Sequence, residues 1–155
     1  MATTKSAIKS SYPLPVYNYR VTIGKDTLGF SEVSGLSIEY EPVTYKHGMS
    51  FWMGNKIIPG MRQPSKLTLK RGIAKSSSFL ASWLSDAYNN PFKISKKDIL
   101  IDLCDETGTP VVRWTVVGAL PTKLDAPTFD ANSNDVAIET LELVAHEIKV
   151  DYKPT

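Results

Sequence analysis

The sequence predicts a mainly β fold, an antiparallel β-barrel or sandwich of about seven or eight strands with one packed α-helix. Three observations carry that prediction. Apolar side chains recur at every second position in most segments, the period of a strand with one buried face. Clusters of glycine, proline, Asn and Asp separate those segments. Only residues 76–88 show the helical period instead.

In residues 17–23, Tyr17, Tyr19, Val21 and Ile23 share one face while Asn18, Arg20 and Thr22 share the other, before the turn signal Gly24-Lys25-Asp26. Residues 37–45 read as a second long strand, with Ile38 and Tyr40 opposite Glu39 and Glu41. Pro42 has no amide hydrogen for a ladder, which predicts an edge or a bend there. Residues 46–64 keep no stable period and read as a long loop, whose aromatic and Met content argues against disorder. Residues 66–71 alternate again and read as the returning strand.

The helix stripe is Phe79, Leu80, Trp83, Leu84, Ala87 and Tyr88, with N-cap oxygens from Ser76 to Ser78 and a stop at Asn89-Asn90-Pro91. Residues 98–104 (Ile99, Ile101 and Leu103 inward) and 111–117 (Val112, Trp114 and Val116 on one face) flank Asp105-Glu106-Thr107-Gly108, a hairpin signal. Residues 136–144 and 146–152 supply the last strands. No repeat, low-complexity tract or linker divides the chain, so residues 1–155 read as a single domain with an N-terminal arm at 1–15.

Composition excludes several function classes. Lys plus Arg number 18 against 16 Asp plus Glu, a net charge of +2, which is no field for gripping a phosphate backbone. Bulk nucleic-acid binding is therefore not expected. One cysteine, Cys104, rules out an intramolecular disulfide and Cys-rich zinc sites. The N-terminus has no apolar run of a Sec signal, and no stretch reaches the roughly 20 apolar residues of a membrane span. The expectation is a chain made and folded in the cytoplasm, without a membrane anchor.

No catalytic or metal constellation emerges, and no cofactor is expected. Asp130-Ala131-Asn132-Ser133-Asn134 begins like a calcium loop, but Asp135 stands where glycine belongs and Leu141 where the bidentate Glu belongs. Turn-forming Asx residues account for it. His146-Glu147 starts like a zinc-protease motif, yet the surroundings alternate as a strand. Cys104 ends an apolar strand, where a thiol acts as a small hydrophobe, so pairing it with His47 as nucleophile and base has no local support. The lysines at 93, 96 and 97, and the group Lys66, Lys70 and Arg71, read as solvated faces.

Contact surfaces remain. Met49, Phe51, Trp52, Met53 and Met61 in residues 46–64 would form an apolar patch of the kind that marks an interaction site, beside a long strand whose edge needs cover. An alternative uses Trp52, Phe51 and Tyr45 with Lys56 and Arg62 as a stacking platform of a small β-barrel module for an oligonucleotide or glycan.

Several segments follow one another in a familiar order. They are Phe30-Ser31-Glu32-Val33-Ser34-Gly35-Leu36, Glu39, Tyr45-x-x-Gly48, Pro59-Gly60, Leu67-Thr68-Leu69-Lys70-Arg71-Gly72, Trp83, Lys97-Asp98-Ile99, and Ala126-Pro127-Thr128-Phe129-Asp130-Ala131-x-x-Asn134-Asp135-Val136-Ala137-Ile138-Glu139. Together they resemble the inner-tube (tail tube) proteins of contractile injection systems, the T4-like phage tail tube family. The style is similar to extracellular phage-tail-like particles of the Photorhabdus virulence cassette and antifeeding prophage type.

The resemblance implies a tail-tube, Hcp-like protomer, six of which close into a ring. Rings stack into a hollow inner tube, a conduit for cargo that punctures an envelope when the sheath contracts. The implied partners are other copies of the chain, the sheath protein, baseplate and cap proteins, and cargo in the lumen. Residues 46–64 become the inter-subunit loop, with Met49, Phe51, Trp52, Met53, Lys56, Met61 and Arg62 as interface candidates. The N-terminal arm and the loop 125–135, with Asp130, Asn134 and Asp135, become ring-stacking contacts. The helix would turn Ser82, Ser85 and Asp86 toward the sheath. Tube-initiating baseplate paralogues share the fold but carry extensions, so the compact chain points to the main tube subunit.

Overall fold

The computed structural model describes residues 12–75, 79–90, 92–93 and 95–154. Its described elements are, in chain order, β1 (Tyr19–Ile23), β2 (Asp26–Leu28), β3 (Glu32–Ser34), β4 (Val43–Tyr45), α1 (Ser50–Met53), β5 (Lys56–Ile58), β6 (Ser65–Gly72), α2 (Phe79–Asn89), β7 (Lys97–Cys104), β8 (Pro110–Asp125), β9 (Ile138–Ala145) and β10 (Glu147–Asp151). All named pairings are antiparallel, as the alternating pattern predicts.

Strand β8, 16 residues long, organises the architecture. Its first half lies between β7 and β10, and its second half pairs with β9. Strands β9 and β10 therefore run as one interrupted strand along β8, broken at His146, whose amide donates to the Val117 carbonyl at 3.1 Å. One half-sheet has the order β2-β1-β7-β8-β10 and the other β8-β9-β6-β3. The bend between them falls at Gly118, whose φ of +65° suits glycine. The Gly118 amide donates to Asp98 Oδ1 at 3.0 Å, opposite a register shift between Lys97 and Ile99. A bulge that turns a strand from one sheet into the next is the expected device at such a corner.

The core fills the space between the half-sheets. Val21, Ile23, Ile99, Ile101 and Val116 meet Leu67, Leu69, Leu141 and Leu143, and Leu80 and Trp83 of α2 pack into the same cluster. Each fully buried aliphatic side chain contributes about 2 kcal/mol. Of the predicted helix stripe, Leu80 and Trp83 are buried, Phe79 packs at the edge and Tyr88 stays exposed. The Trp83 indole donates to the Ser95 carbonyl at 2.9 Å, and Lys97 Nζ sits 4.6 Å from the Phe79 ring, so this lysine covers an aromatic rather than forming a free basic face. The predicted caps at Ser76 to Ser78 and the stop at Pro91 lie outside the described residues.

Two expectations need correction. The strand predicted over 37–45 forms a ladder only at β4, because Pro42 interrupts it; Tyr40 makes an isolated bridge with Arg62, and Ile38 is half exposed. The returning partner of that segment is β5, inside the predicted loop, while β6 pairs with β3 and β9. The short strands β2 and β3 follow the turn after β1, where three residues are too few to show a period. Gly35, just after β3, has φ +88°, and a Cβ there would lie 2.2 Å from the Lys66 carbonyl oxygen, which explains glycine in that segment.

Candidate functional site

Residues 39–63 leave the sandwich as an arm. Glu41 N donates to the Met61 carbonyl and Gln63 N to the Glu39 carbonyl at its base, β4 and β5 pair further out, and α1 closes the tip. The tip helix is held by amides of Trp52 and Met53 donating to the Met49 carbonyl at 3.0 and 3.1 Å, and by the Met49 amide donating to His47 Nδ1 at 3.1 Å. Phe51 and Trp52 meet edge to face, with ring centroids 5.5 Å apart at 89°. Neither is covered: Phe51 is 88% and Trp52 80% exposed, with Met49, Met53 and Met61 exposed beside them.

The arm's root is fixed to the sandwich. Arg62 Nη1 lies 2.7 Å from Glu147 Oε1 of β10, and its Nη2 donates to the Tyr40 hydroxyl at 3.0 Å. Those partners, Tyr40 first and Glu147 next, raise the guanidinium pKa above its ordinary value. Arg62, expected at an interface, is thus engaged within its own chain. That also occupies one of the two cations of the stacking platform considered for an oligonucleotide or glycan, whereas Lys56 is exposed with no ion-pair partner among the described residues.

At the other end of the sandwich, residues 126–137 form an exposed turn. Asp130 Oδ1 accepts the Asn132 amide at 2.9 Å and Ser133 Oγ accepts the Asp135 amide at 3.1 Å. The first is the Asx-type bond expected of the sequence, and the second is its serine counterpart. Asn134 and Asp135 are exposed, as are Phe129 and Val136. On α2, Ser82, Ser85 and Asp86 are exposed, and Ser85 Oγ accepts from Asn89 at 2.8 Å. The structure thus places the candidate residues in three separate surfaces, arm, turn and helix.

Sequence reasoning missed a charge cluster around the buried Asp102. Arg113 Nε donates to Asp102 Oδ1 at 2.6 Å and its Nη2 to Oδ2 at 3.1 Å, while Arg20 lies 3.5 Å from the same carboxylate. The three sit in one cross-strand row of β1, β7 and β8. Only strand register, which no local pattern reveals, could have found it. Cys104 is buried at the end of β7 and His146 is exposed between β9 and β10. Among the described residues no group of three His, Cys, Asp or Glu could hold a metal, and no helix is long and apolar enough to cross a membrane.

Strands β2, β3 and β10 each have one ladder neighbour, and the sheet path does not close from β2 to β3. Open edges beside an uncovered apolar arm are the features of an assembly subunit. The chain belongs to the T4-like virus tail tube protein gp19 family, which it matches over residues 15–149.

Solved structures agree. A chain of the PVC sheath–tube complex, an extracellular contractile injection system in its extended state, is 34% identical with a TM-score of 0.87, covering 97% of this chain and 99% of that one. A chain of the anti-feeding prophage cap is 33% identical, TM-score 0.84, covering 92% and 93%. A chain of the anti-feeding prophage baseplate, 6-fold symmetrised, is 25% identical, TM-score 0.78, covering 91% and 97%. The fold alone extends to Hcp1 from Flavobacterium johnsoniae, 16% identical, TM-score 0.57, covering 88% and 96%. No curated protein matches the sequence. The protein is a tail tube protein of the contractile injection system class, a structural part of a phage tail or tail-like particle.

Proposed function

We propose that this chain is the main inner-tube subunit of an extracellular, phage-tail-like contractile particle. Six copies close into a ring through their open strand edges, and rings stack into a hollow tube that conducts cargo through a punctured envelope. The 6-fold symmetry of the related baseplate supports the ring number. The chain performs no chemistry of its own. It meets the sheath protein through Ser82, Ser85 and Asp86 of α2, and further copies through the arm and the 125–135 loop. Cap and baseplate proteins engage the two ends of the tube. The first 15 residues serve as a further stacking contact; of these, residues 1–11 lie outside the described residues.

The observation that carries this reading is the uncovered arm. The core is complete without Phe51, Trp52, Met53 and Met61, and no other described residue covers them, which leaves them for another molecule to bury. Negative-stain microscopy of the purified protein tests it. Rings and tubes are expected, and their loss on deleting residues 46–64 with the protomer still folded. Monodisperse monomers at high concentration overturn the proposal.

A further inference from the structure

Strands β4 and β5 pair with each other and, among the described residues, with no other strand. A ribbon of two such short strands has little stability of its own, so its direction must be set where its two limbs leave the sandwich. The limbs are cross-linked there. Tyr40 forms an isolated bridge with Arg62, Gln63 Nε2 donates to Glu41 Oε2 at 2.8 Å, and Gly60 lies so close to the Glu41 carbonyl that no Cβ would fit.

Those links join limb to limb, whereas Arg62 also reaches the sandwich. Its Nη2 donates to the Tyr40 hydroxyl at 3.0 Å, its Cζ stands 5.4 Å from the Tyr40 ring centroid, and its Nη1 lies 2.7 Å from Glu147 Oε1. Glu147 sits opposite Val117 in the β8–β10 ladder, within the paired part of the sheet. One planar guanidinium therefore ties three points together: its own limb, the other limb and β10. A lysine ammonium has no such fork. The carboxylate serves a second purpose. Arg62 lines a cleft of about 370 Å³ together with Lys96 and His146, and Glu147 offsets the like charges that Arg62 and Lys96 bring to it.

We propose that Arg62 is the positioning residue of the arm: by joining Tyr40 to Glu147 it holds the arm at one angle to the sandwich, so that Phe51 and Trp52 meet a second copy already aimed. An arm that swings freely must lose that freedom on association, and holding it beforehand removes this entropic cost. The inference deepens the tube-subunit reading and rests on it for the effect on assembly; how the arm is held is a property of the single chain.

Three full-length variants test it: Arg62→Ala, Glu147→Gln, and the exchange Arg62→Glu with Glu147→Arg. In the exchange a carboxylate at 62 still accepts from the Tyr40 hydroxyl and a guanidinium at 147 still pairs with it. The arm angle is read on the dispersed protomer as the distance distribution between nitroxide labels on Lys56→Cys and Lys149→Cys, both exposed positions, while Cys104 is buried from the label. Sedimentation reads assembly of the unlabelled chains. Arg62→Ala and Glu147→Gln are each expected to widen the distribution at least about twofold and to raise the concentration for half-assembly about tenfold. The exchange is expected to restore the wild-type width and to return half-assembly to within about threefold of wild type. Thermal midpoints should fall by no more than about 5 °C, since the paired side chains are 35% and 24% exposed. A larger fall would place the pair in the protomer's packing and overturn the proposal. A wild-type distribution as broad as that of Arg62→Ala overturns it as well. Weakened assembly with an unchanged distribution also does so, by making Arg62 or Glu147 a direct contact of a second copy, as does a broadened distribution with assembly intact. An exchange that restores neither width nor assembly overturns the role of the ion pair. A wild-type chain that never associates overturns the tube reading alone, because the distance distribution still decides how the arm is held.

Discussion

Arg113 holds Asp102 by two parallel hydrogen bonds across the β7–β8 ladder, 2.6 and 3.1 Å long, and the Asp102 side chain is only 4% exposed. A carboxylate removed from water persists as an anion only where such donors replace its hydration. Arg20 stands on its other side at 3.5 Å, itself about half exposed. Replacing Arg113 with Ala strands the buried charge and is expected to destabilise the protomer by roughly 3 kcal/mol. Arg20→Ala is expected to cost under about 1 kcal/mol, since an exposed, longer contact is lost. Urea denaturation followed by tryptophan fluorescence checks the order; equal losses for the two variants would contradict it.

The arm aromatics are expected to matter to association and not to the protomer. Trp52→Ala or Phe51→Ala should weaken assembly by about 2 kcal/mol or more, the size of an aromatic hot spot, seen as a higher concentration for half-assembly. The thermal midpoint of the dispersed protomer should stay unchanged, because neither ring touches the core cluster. A matching fall in that midpoint would put these rings in the protomer's own packing instead.

Two glycines should differ in their tolerance of a methyl group. Gly118→Ala places a side chain at φ +65° with its Cβ 3.4 Å from the His146 Cβ, for about 1 kcal/mol of backbone strain. Gly35→Ala adds a collision 2.2 Å from the Lys66 carbonyl oxygen, which backbone must move to relieve, so roughly 3 kcal/mol is expected. Denaturation midpoints of the two variants, measured side by side, decide whether Gly35 is the stricter position.

Tyr19 predicts an alkaline limit. Its hydroxyl donates to the Phe30 carbonyl at 2.6 Å, and burial first, then the negative charge of Glu32, raises its pKa above the usual value of about 10. The folded chain keeps this proton where the unfolded chain has released it. The stability it contributes is therefore intact below about pH 10 and is lost as pH rises through the folded-state value. Tyr19→Phe should be weaker by about 1 kcal/mol at pH 8 for the lost hydrogen bond, with a flatter decline above pH 10. Parallel alkaline limbs for wild type and variant would remove Tyr19 as the cause.

Much of the chain declares itself locally. The alternation of Ile99 and Ile101, of Leu67 and Leu69, and of Leu141 and Leu143 marks strands because side chains point to opposite faces at every step, and all six are buried as that period requires. Met49, Phe51, Trp52 and Met53 stand out for the converse reason: no period places them against a core, and all four are exposed. The helix was found from its stripe, although a lone stripe overstates burial, as Tyr88 demonstrates.

Pairing was not local, and that is where tertiary structure decided. Nothing in residues 37–45 states that their partner is β5 and not β6; the break at Pro42 and the space claimed by β3 on β6 settle it. The continuation of β8 through Gly118 to Asp125, the capture of Arg62 by Glu147, and the row joining Arg20, Asp102 and Arg113 all depend on register between strands distant in sequence. By itself the sequence determined the long strands and the main helix, because those follow from side-chain period, whereas β2, β3, β5 and α1 carry too few residues to show one. The tertiary structure decided which strands meet and which charges are already spent inside the chain, because contacts across many residues are set by competition for one shared core.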